Sequence, residues 1–300
     1  MKSLCFGAVL WDLIEGEEHL GGAPFNLAVH LKRLGFTSSM VSSIGTDARG
    51  DRIVEEISGH GIDGRWVRRD PDHPTACVTV TTNTQGESDY VIHEDVASDH
   101  IELSDDELEA IVDENFDVIC HGTLEARGHQ THDSLFLLLN AVSEKEGTRI
   151  FCDLNLRQSF YSLPLIRDTL VYCDILKLND SEASVVAELL FPDKTFANDR
   201  DLGSILCHTY DLELTVITRG ERGCVVVTRN EYVESPGLPV DVVDTVGPGD
   251  AFSAAFLREV LSGGKLEVAA ERANKLGAFV ASRRGALPEY DAEILQALKL

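Results

Sequence analysis

The chain has 300 residues, 43% of them hydrophobic, and its 51 acidic and 26 basic side chains give a net charge of −25. Its length suits one large α/β domain. The excess of acid disfavours nucleic acids and anionic membranes as partners, and no apolar run reaches the ~18 residues of a membrane helix. We therefore expect a cytoplasmic protein with neither partner. Adaptation to high salt is an alternative reason for the acidic surface.

The seven cysteines are odd in number and include no C-x-x-C pair. Most of them lie in apolar, strand-like runs, where cysteine behaves as a small hydrophobe. We expect structural thiols in a reducing compartment. His129 and His132 share a helical face, and we interpret them as a solvated pair rather than a metal site.

The first elements follow from simple patterns. Leu4–Trp11 predicts a strand that ends at Asp12, and a polar segment follows it. A helix then opens within Gly21–Asn26. Pro24 suits its first turn and Gly35 its end.

A different pattern begins after Pro71–Pro74. Thr75–Thr82 and Ser88–His93 alternate apolar and polar residues around a turn at 83–86. Such alternation favours an antiparallel hairpin with one face in water.

We assign this hairpin to a lid. Residues of about 12–21 and 74–99 are predicted to form a small β lid on a single domain of residues 1–300. A surface hairpin without a role is the alternative. A homodimer through the lid face is a further expectation.

From Ser104 onward, strands alternate with helices, beginning with a capping box formed by Ser104 and Glu107. The alternation predicts an α/β fold with a doubly wound, mostly parallel sheet whose ligands bind beyond the carboxyl ends of its strands. The predicted strands are Val118–His121, Arg149–Leu154, Ile175–Leu178, Leu214–Thr218 and Cys224–Thr228, with helices near 129–146 and 160–172. Polar motifs stand at the predicted strand ends, at Asp12, His121, Asp153–Arg157, Asn179, Arg219 and Asp244.

A glycine-rich turn stands between a β-branched run, Pro239–Val243, which predicts a strand, and an apolar helix. Gly247 and Gly249 permit a tight turn at the amino end of that helix, where free amides attract anions. Asp250 lies in its first turn. One reading makes Asp250 a partner of the helix dipole, and the other makes it a general base beside a phosphate site.

Residues 244–250, Asp-Thr-Val-Gly-Pro-Gly-Asp, resemble the D-T-x-G-A/P-G-D signature of the ribokinase-like (PfkB) family of sugar kinases. The resemblance implies that Gly247 and Gly249 shape an anion hole and that Asp250 takes the proton from the attacking sugar hydroxyl. A second signature, G-G-x-x-x-N, implies that Asp12, Gly22 and Asn26 hold the sugar.

The same resemblance implies a nucleotide site. Asn179 and Glu182 match the family's N-x-x-E motif, which organises Mg²⁺ and phosphates, with Glu182 acting through water. A helix-capping pair is the alternative reading. Thr218, Gly220 and Gly223 resemble the turn beside ATP, Asn274 is expected at the adenine pocket, and the 285–286 loop resembles a site for a monovalent cation such as K⁺.

Within the family the chain is most similar to bacterial fructokinases, and Arg157 is then a candidate for binding substrate or phosphate. Fructokinases usually have Glu where this chain has Ala8, and an aromatic residue is common near Ser98 and near His121. A kinase for 2-keto-3-deoxygluconate, another sugar or a nucleoside therefore stays an alternative. A catalytically silent sugar-binding regulatory protein is the alternative from another class.

Overall fold

The computed structural model describes residues 1–82 and 88–299. The side chains of 80–82 and 88–90 are outside this description, as is the predicted turn at 83–86. Within the described residues the helices are α1 (Ala23–Arg33), α2 (Ala48–Gly59), α3 (Asp105–Asp113), α4 (His129–Ser143), α5 (Leu163–Tyr172), α6 (Asp180–Leu190), α7 (Asp199–Thr209), α8 (Pro248–Leu261), α9 (Leu266–Ala281) and α10 (Ala292–Leu298). None of these helices is both long and apolar enough to cross a membrane.

The strands divide into two sheets. Their bounds are β1 (Lys2–Phe6), β2 (Leu10–Ile14), β3 (Glu17–Gly21), β4 (Thr37–Gly45), β5 (Asp63–Asp70), β6 (Cys77–Thr82), β7 (Ser88–Ile92), β8 (Val118–His121), β9 (Arg149–Asp153), β10 (Ile175–Asn179), β11 (Leu214–Thr218), β12 (Cys224–Thr228) and β13 (Tyr232–Ser235).

The main sheet has the order β13-β12-β11-β10-β9-β8-β1-β4-β5 within the described part of the chain. Seven neighbouring strands pair in parallel, whereas β12 and β13 add an antiparallel edge. Its central strands are buried along nearly their whole length, as expected for a sheet covered by helices on both faces. The predicted doubly wound α/β fold is confirmed.

The small sheet has the order β3-β2-β6-β7 among the described residues. The predicted hairpin is its β6–β7 pair, which is antiparallel, and β2 joins β6 in parallel. The polar segment after Asp12 is partly strand, because Glu17–Gly21 pairs with β2.

The prediction of one strand from Leu4 to Trp11 is wrong. Gly7 has φ +137°, a conformation that favours glycine, and the chain leaves the main sheet there. It enters the small sheet at Leu10. Asp12 is therefore in the middle of β2 and does not end a main-sheet strand.

The predicted strand at Pro239–Val243 is also wrong. These residues form neither a helix nor a strand. Val242 and Val243 are 63% and 57% exposed, and Val242 lines a cavity instead of pairing in a sheet. Asp244 consequently follows a loop, and the glycine turn connects this loop to α8.

The segment after α9 is fastened to α1. The buried His30 of α1 makes hydrogen bonds to the Ala286 carbonyl (3.0 Å) and the Tyr290 hydroxyl (2.6 Å). Burial lowers the pKa of His30 to about 3, so the ring is neutral. Arg33 donates to the carbonyl of Pro288 at 2.8 Å. Helix α1 and residues 286–290 thus form one packed unit beside the glycine turn.

Candidate active site

The glycine turn is held in a shape that requires glycine. Gly247 caps α8 with φ +90°, and a Cβ there would lie 2.5 Å from Cα of Ala286. Pro248 occupies the first helical position, where no amide hydrogen is needed. The amides of Gly249 and Asp250 fall in the first turn, where a helix has no internal acceptors for them. This end of α8 is suited to bind an anion.

Asp250 lies beside these amides. Its Oδ2 accepts a hydrogen bond from Nδ2 of Asn26 at 2.9 Å. Removal from bulk water raises the pKa of Asp250 to about 7. The Asn26 bond opposes the rise, and the charge of Asp153 adds to it. A carboxyl group with this pKa can gain and lose a proton near neutral pH.

A buried ion pair stands behind the turn. Nζ of Lys177 donates to Oδ2 of Asp153 at 2.6 Å, and the Lys177 side chain is almost fully buried. Burial alone would lower the pKa of Lys177, but Asp153 and other carboxylates hold it above its usual value. A Cβ on Gly249 would lie 3.4 Å from this ammonium group. The turn therefore has a permanent cation next to it.

Asp12 and Arg157, two of the predicted sugar-binding residues, interact through their charges. Burial raises the pKa of Asp12 to about 6, and the charges of His19, Asp244 and Arg157 also act on it. Arg157 also lowers the pKa of Asp250, so the exposed guanidinium is near both carboxyl groups. Gly22 has φ +107° at the start of α1, and a Cβ there would lie 2.5 Å from the Ala8 carbonyl oxygen.

Asn179 and Glu182 form the capping box of α6. Oδ1 of Asn179 accepts from the Glu182 amide at 2.8 Å, and Oε2 of Glu182 accepts from the Asn179 amide at 2.8 Å. Oε1 of Glu182 accepts from the amide of Leu156 at 2.9 Å. Burial raises the pKa of Glu182, and the charge of Asp153 adds to the rise. Each oxygen of the Glu182 carboxylate can accept a second hydrogen bond, and a water molecule bound to a metal could donate it.

A large cavity of about 410 Å³ opens on the other side of the glycine turn. The structure brings four of the predicted nucleotide residues to its wall, namely Thr218, Gly220, Gly223 and Asn274. Nδ2 of Asn274 donates to the carbonyl oxygen and Oγ of Ser235, at 3.3 and 3.0 Å, and so fixes the wall where β13 ends. Apolar side chains of the 237–242 loop and of Phe252 complete the lining.

A small cavity of about 20 Å³ lies on the near side, lined by Asp250, Asp153, His121 and Glu125 among others. Nε2 of His121, on the wall of this cavity, is buried without a hydrogen-bond partner, and so is Oδ1 of Asn26, which does not line the cavity. Burial lowers the pKa of His121 to about 4, so its ring is neutral. Unpaired buried polar atoms are costly, and a polar ligand would satisfy them.

Glu125 was not predicted from the sequence. Its carboxylate is 6% exposed, and its Oε1 accepts from the Ala8 amide at 3.3 Å. Burial raises the pKa of Glu125. The helical turn that carries it follows β8, far along the chain from Ala8, so no local pattern could reveal the contact. Lys177 did have a signal, since a lysine stands inside the apolar run of β10.

The arrangement places a titratable carboxyl group and free amides between two cavities. The carboxyl group can accept a proton from a hydroxyl group in the small cavity. The amides can hold an anion that approaches from the large cavity. Such a pair of sites suits the transfer of a phosphoryl group to an alcohol, a reaction that depends on positioning and charge neutralisation.

Comparison with known proteins agrees with this geometry. Residues 5–292 match the pfkB family carbohydrate kinase profile. The chain belongs to this family. It is therefore a phosphotransferase that acts on a sugar hydroxyl.

Its relatives include fructokinases. The fructokinase of Escherichia coli is 29% identical over 278 residues, which cover 89% of this chain and 87% of that protein. A sugar kinase from Pyrococcus horikoshii has a TM-score of 0.80 at 26% identity, covering 95% of this chain and 93% of its own. The ATP-bound fructokinase of Xylella fastidiosa has a TM-score of 0.84 at 20% identity, covering 99% and 97% of the two chains, and shows the same fold.

Proposed function

We propose that this enzyme transfers the γ-phosphoryl group of Mg·ATP to a hydroxyl group of D-fructose. The observation that carries the proposal is Asp250, with its raised pKa, bonded to Asn26 at the amino end of α8. The proposal is supported by relatives named fructokinase and by solved fructokinases in complex with fructose and ADP or with ATP.

In this mechanism Asp250 is the general base. Its carboxylate accepts the proton of the sugar hydroxyl as that oxygen attacks phosphorus, and Asn26 keeps the carboxylate oriented. Gly247 and Gly249 let the amides of the turn approach the transferred group. Lys177, held by Asp153, contributes fixed positive charge behind it.

The sugar is assigned to the small cavity. Asp12, Gly22 and Asn26 are proposed to bind its hydroxyl groups and Arg157 the substrate or its phosphate, although none of the four lines the cavity in its present form. Glu125 lies against Ala8, the position at which fructokinases usually have Glu. Glu125 thus brings a carboxylate to the backbone at that position from another part of the chain.

ATP is assigned to the large cavity, with Thr218, Gly220, Gly223 and Asn274 on its wall. Magnesium would neutralise phosphate charge, and Glu182 would hold it through water because both its oxygens already accept backbone amides. The 285–286 loop is proposed to take a monovalent cation. Oδ2 of Asp244 accepts from the Gly285 amide at 2.9 Å and links that loop to the glycine turn.

The small sheet is proposed to act as the lid, with residues of about 12–21 and 74–99 closing over the sugar. Its outer face is a candidate surface for a homodimer, which size-exclusion chromatography with light scattering would test. Location in the cytoplasm also stays a prediction.

A coupled assay of ADP release across sugars and nucleosides tests the function. Fructose should have the highest kcat/KM. A tenfold preference for ribose, a nucleoside or 2-keto-3-deoxygluconate would remove the assignment to fructose and leave the kinase. Sugar binding without any ADP release would favour the silent regulatory protein.

A further inference from the structure

Two of the passages that connect the main sheet with the small sheet, those before and after the β6–β7 hairpin, together carry three potential metal ligands. His73 lies on the outgoing passage after β5, and Asp95 and His100 lie on the returning passage after β7. Oδ1 of Asp95 is 3.6 Å from Nε2 of His73 and 3.0 Å from Nε2 of His100. Among the described residues these three form the one group of His, Cys, Asp or Glu whose ligand atoms all lie within 4.8 Å.

Asp70 lies behind this cluster and is within hydrogen-bond distance of the second ring nitrogen of His73. Its Oδ2 lies 2.8 Å from Nδ1 of His73, and its Oδ1 accepts the amides of Asp72 and His73 at 2.8 and 3.1 Å. A proton on Nδ1 donated to this carboxylate leaves the lone pair of Nε2 directed at the cluster. Metal-binding histidines generally have such a carboxylate or carbonyl partner on their second ring nitrogen.

We propose that His73, Asp95 and His100 bind one divalent cation of the zinc class, with water as the fourth ligand. Two imidazoles and a carboxylate suit Zn²⁺, and ligands at about 2.0–2.2 Å in a tetrahedron lie roughly 3.3–3.5 Å apart. The two separations at Asp95 lie on either side of that value.

Binding requires one movement. The rings of His73 and His100 are stacked, with centroids 3.5 Å apart and planes at 10°, so their lone pairs lie in nearly parallel planes and do not converge on one point between the rings. One ring must tilt toward the cation. Both side chains are about one quarter exposed, at 26% and 27%, which leaves room for the tilt.

The cation would clamp the base of the small sheet. One backbone hydrogen bond, from the Ala97 amide to the Pro74 carbonyl at 2.8 Å, already joins the two passages. A metal bound to His73 and His100 adds a second link across the whole β6–β7 hairpin. Its effect is to stabilise the folded chain and to slow local opening where both passages leave the main sheet.

The test uses the untagged, nucleotide-free protein after treatment with EDTA. Zn²⁺ is titrated by calorimetry and Co²⁺ by visible absorption. We expect one site per chain, the intense visible bands of tetrahedral Co²⁺, and a Tm rise of about 3 °C or more at saturating zinc. His100→Asn and Asp95→Asn should each weaken zinc binding at least about tenfold, and Asp70→Asn about tenfold with the stoichiometry kept.

His132→Asn is the matched control. His129 and His132 each lie 3.2 Å from a carboxylate oxygen of Asp133, but on α4 and outside the cluster. This variant should bind zinc as the parent does. Asp95 is 81% exposed, so its conservative variant should fold. Parental affinity in Asp95→Asn or His100→Asn, lost binding in His132→Asn, or no saturable binding in the parent overturns the proposal. These outcomes do not depend on which substrate the kinase uses.

Discussion

The two cavities that meet at Asp250 differ in size and in lining. The large cavity, of about 410 Å³, has glycines and apolar side chains on its wall. The small cavity, of about 20 Å³, has carboxyl groups and a neutral histidine whose Nε2 is buried without a hydrogen-bond partner. A space of 20 Å³ holds about one water molecule. The proposed nucleotide site is therefore open in this structure, whereas the space assigned to the sugar is too small for a sugar as it stands.

Because of this difference, we expect the free-energy cost of a conformational change to accompany the binding of sugar and not the binding of ATP. A preformed pocket binds without reorganisation, and a closed polar pocket gains its hydrogen bonds only after its walls move. Changes on the small-cavity side should thus affect the sugar and the chemical step. Changes on the large-cavity side should affect ATP alone.

The largest effect is expected at the point shared by both cavities. Asp250→Asn should lower kcat by about 10²–10⁴-fold, the usual contribution of a general base, with little change in sugar affinity because Asn fills the same space. Steady-state kinetics with both substrates measure this. Asp241→Asn, at an exposed position on the loop before the turn, is the control. If Asp250→Asn kept a kcat near that of the parent, Asp250 would not be the general base, and its role would be to interact with the dipole of α8.

The pH dependence of kcat/KM is a second test of Asp250 as the general base. Because Asp250 has a pKa of about 7 and acts only when ionised, kcat/KM should fall about tenfold per pH unit below 7 and level off above it. Rates across this range, with saturating ATP, provide the measurement. If the residual activity of Asp250→Asn keeps the same step, another group carries the titration.

Asp12 tests the sugar side alone. Asp12→Ala should raise the KM for sugar roughly tenfold or more, the value of a charge-assisted hydrogen bond of ~1.5–3 kcal/mol, and leave the KM for ATP unchanged. Glu17→Ala, on the neighbouring strand β3, controls for damage to the small sheet. Equal changes in both KM values would contradict the separation of the two sites.

Asn274 tests the nucleotide side. Its amide holds the cavity wall at Ser235, so Asn274→Ala should raise the KM for ATP about fivefold, the effect of ~1 kcal/mol, without changing the KM for sugar. Lys275→Ala, the next residue of α9, is the matched control because its ammonium pairs with Glu271 on the surface. If Asn274→Ala changed the KM for sugar and left the KM for ATP unchanged, the assignment of the two cavities would be reversed.

The smallest expected effect is on the lid. Adding sugar should slow amide exchange severalfold in the β6 and β7 segments, and adding nucleotide alone should not, because the small sheet is proposed to cover the sugar and not the nucleotide. Hydrogen exchange followed by mass spectrometry gives both measurements on one sample. Equal exchange with and without sugar would make the hairpin a surface feature without a role.

The features predicted correctly from the sequence are those with local causes. The capping boxes of Ser104 with Glu107 and of Asn179 with Glu182 depend on residues three positions apart, and both are present. The strands β8 and β11 have the predicted bounds. Prediction from the local sequence pattern failed where the neighbours of a residue come from distant parts of the chain. The valines of 240–243 read as a strand but belong to a loop beside a cavity, and the contact of Glu125 with Ala8 has no sequence signal.

The attachment of His30 and Arg33 to the segment after α9 has a mechanical consequence. Helix α1 carries Asn26, and Ala286, which packs against Gly247, accepts a hydrogen bond from His30 on the same helix. Asn26, which is proposed to orient Asp250, and the glycine turn that is proposed to hold the anion therefore belong to one packed unit. We therefore expect movement of the proposed lid to change the space available to the sugar and to leave the 2.9 Å separation of Asn26 and Asp250 as it is.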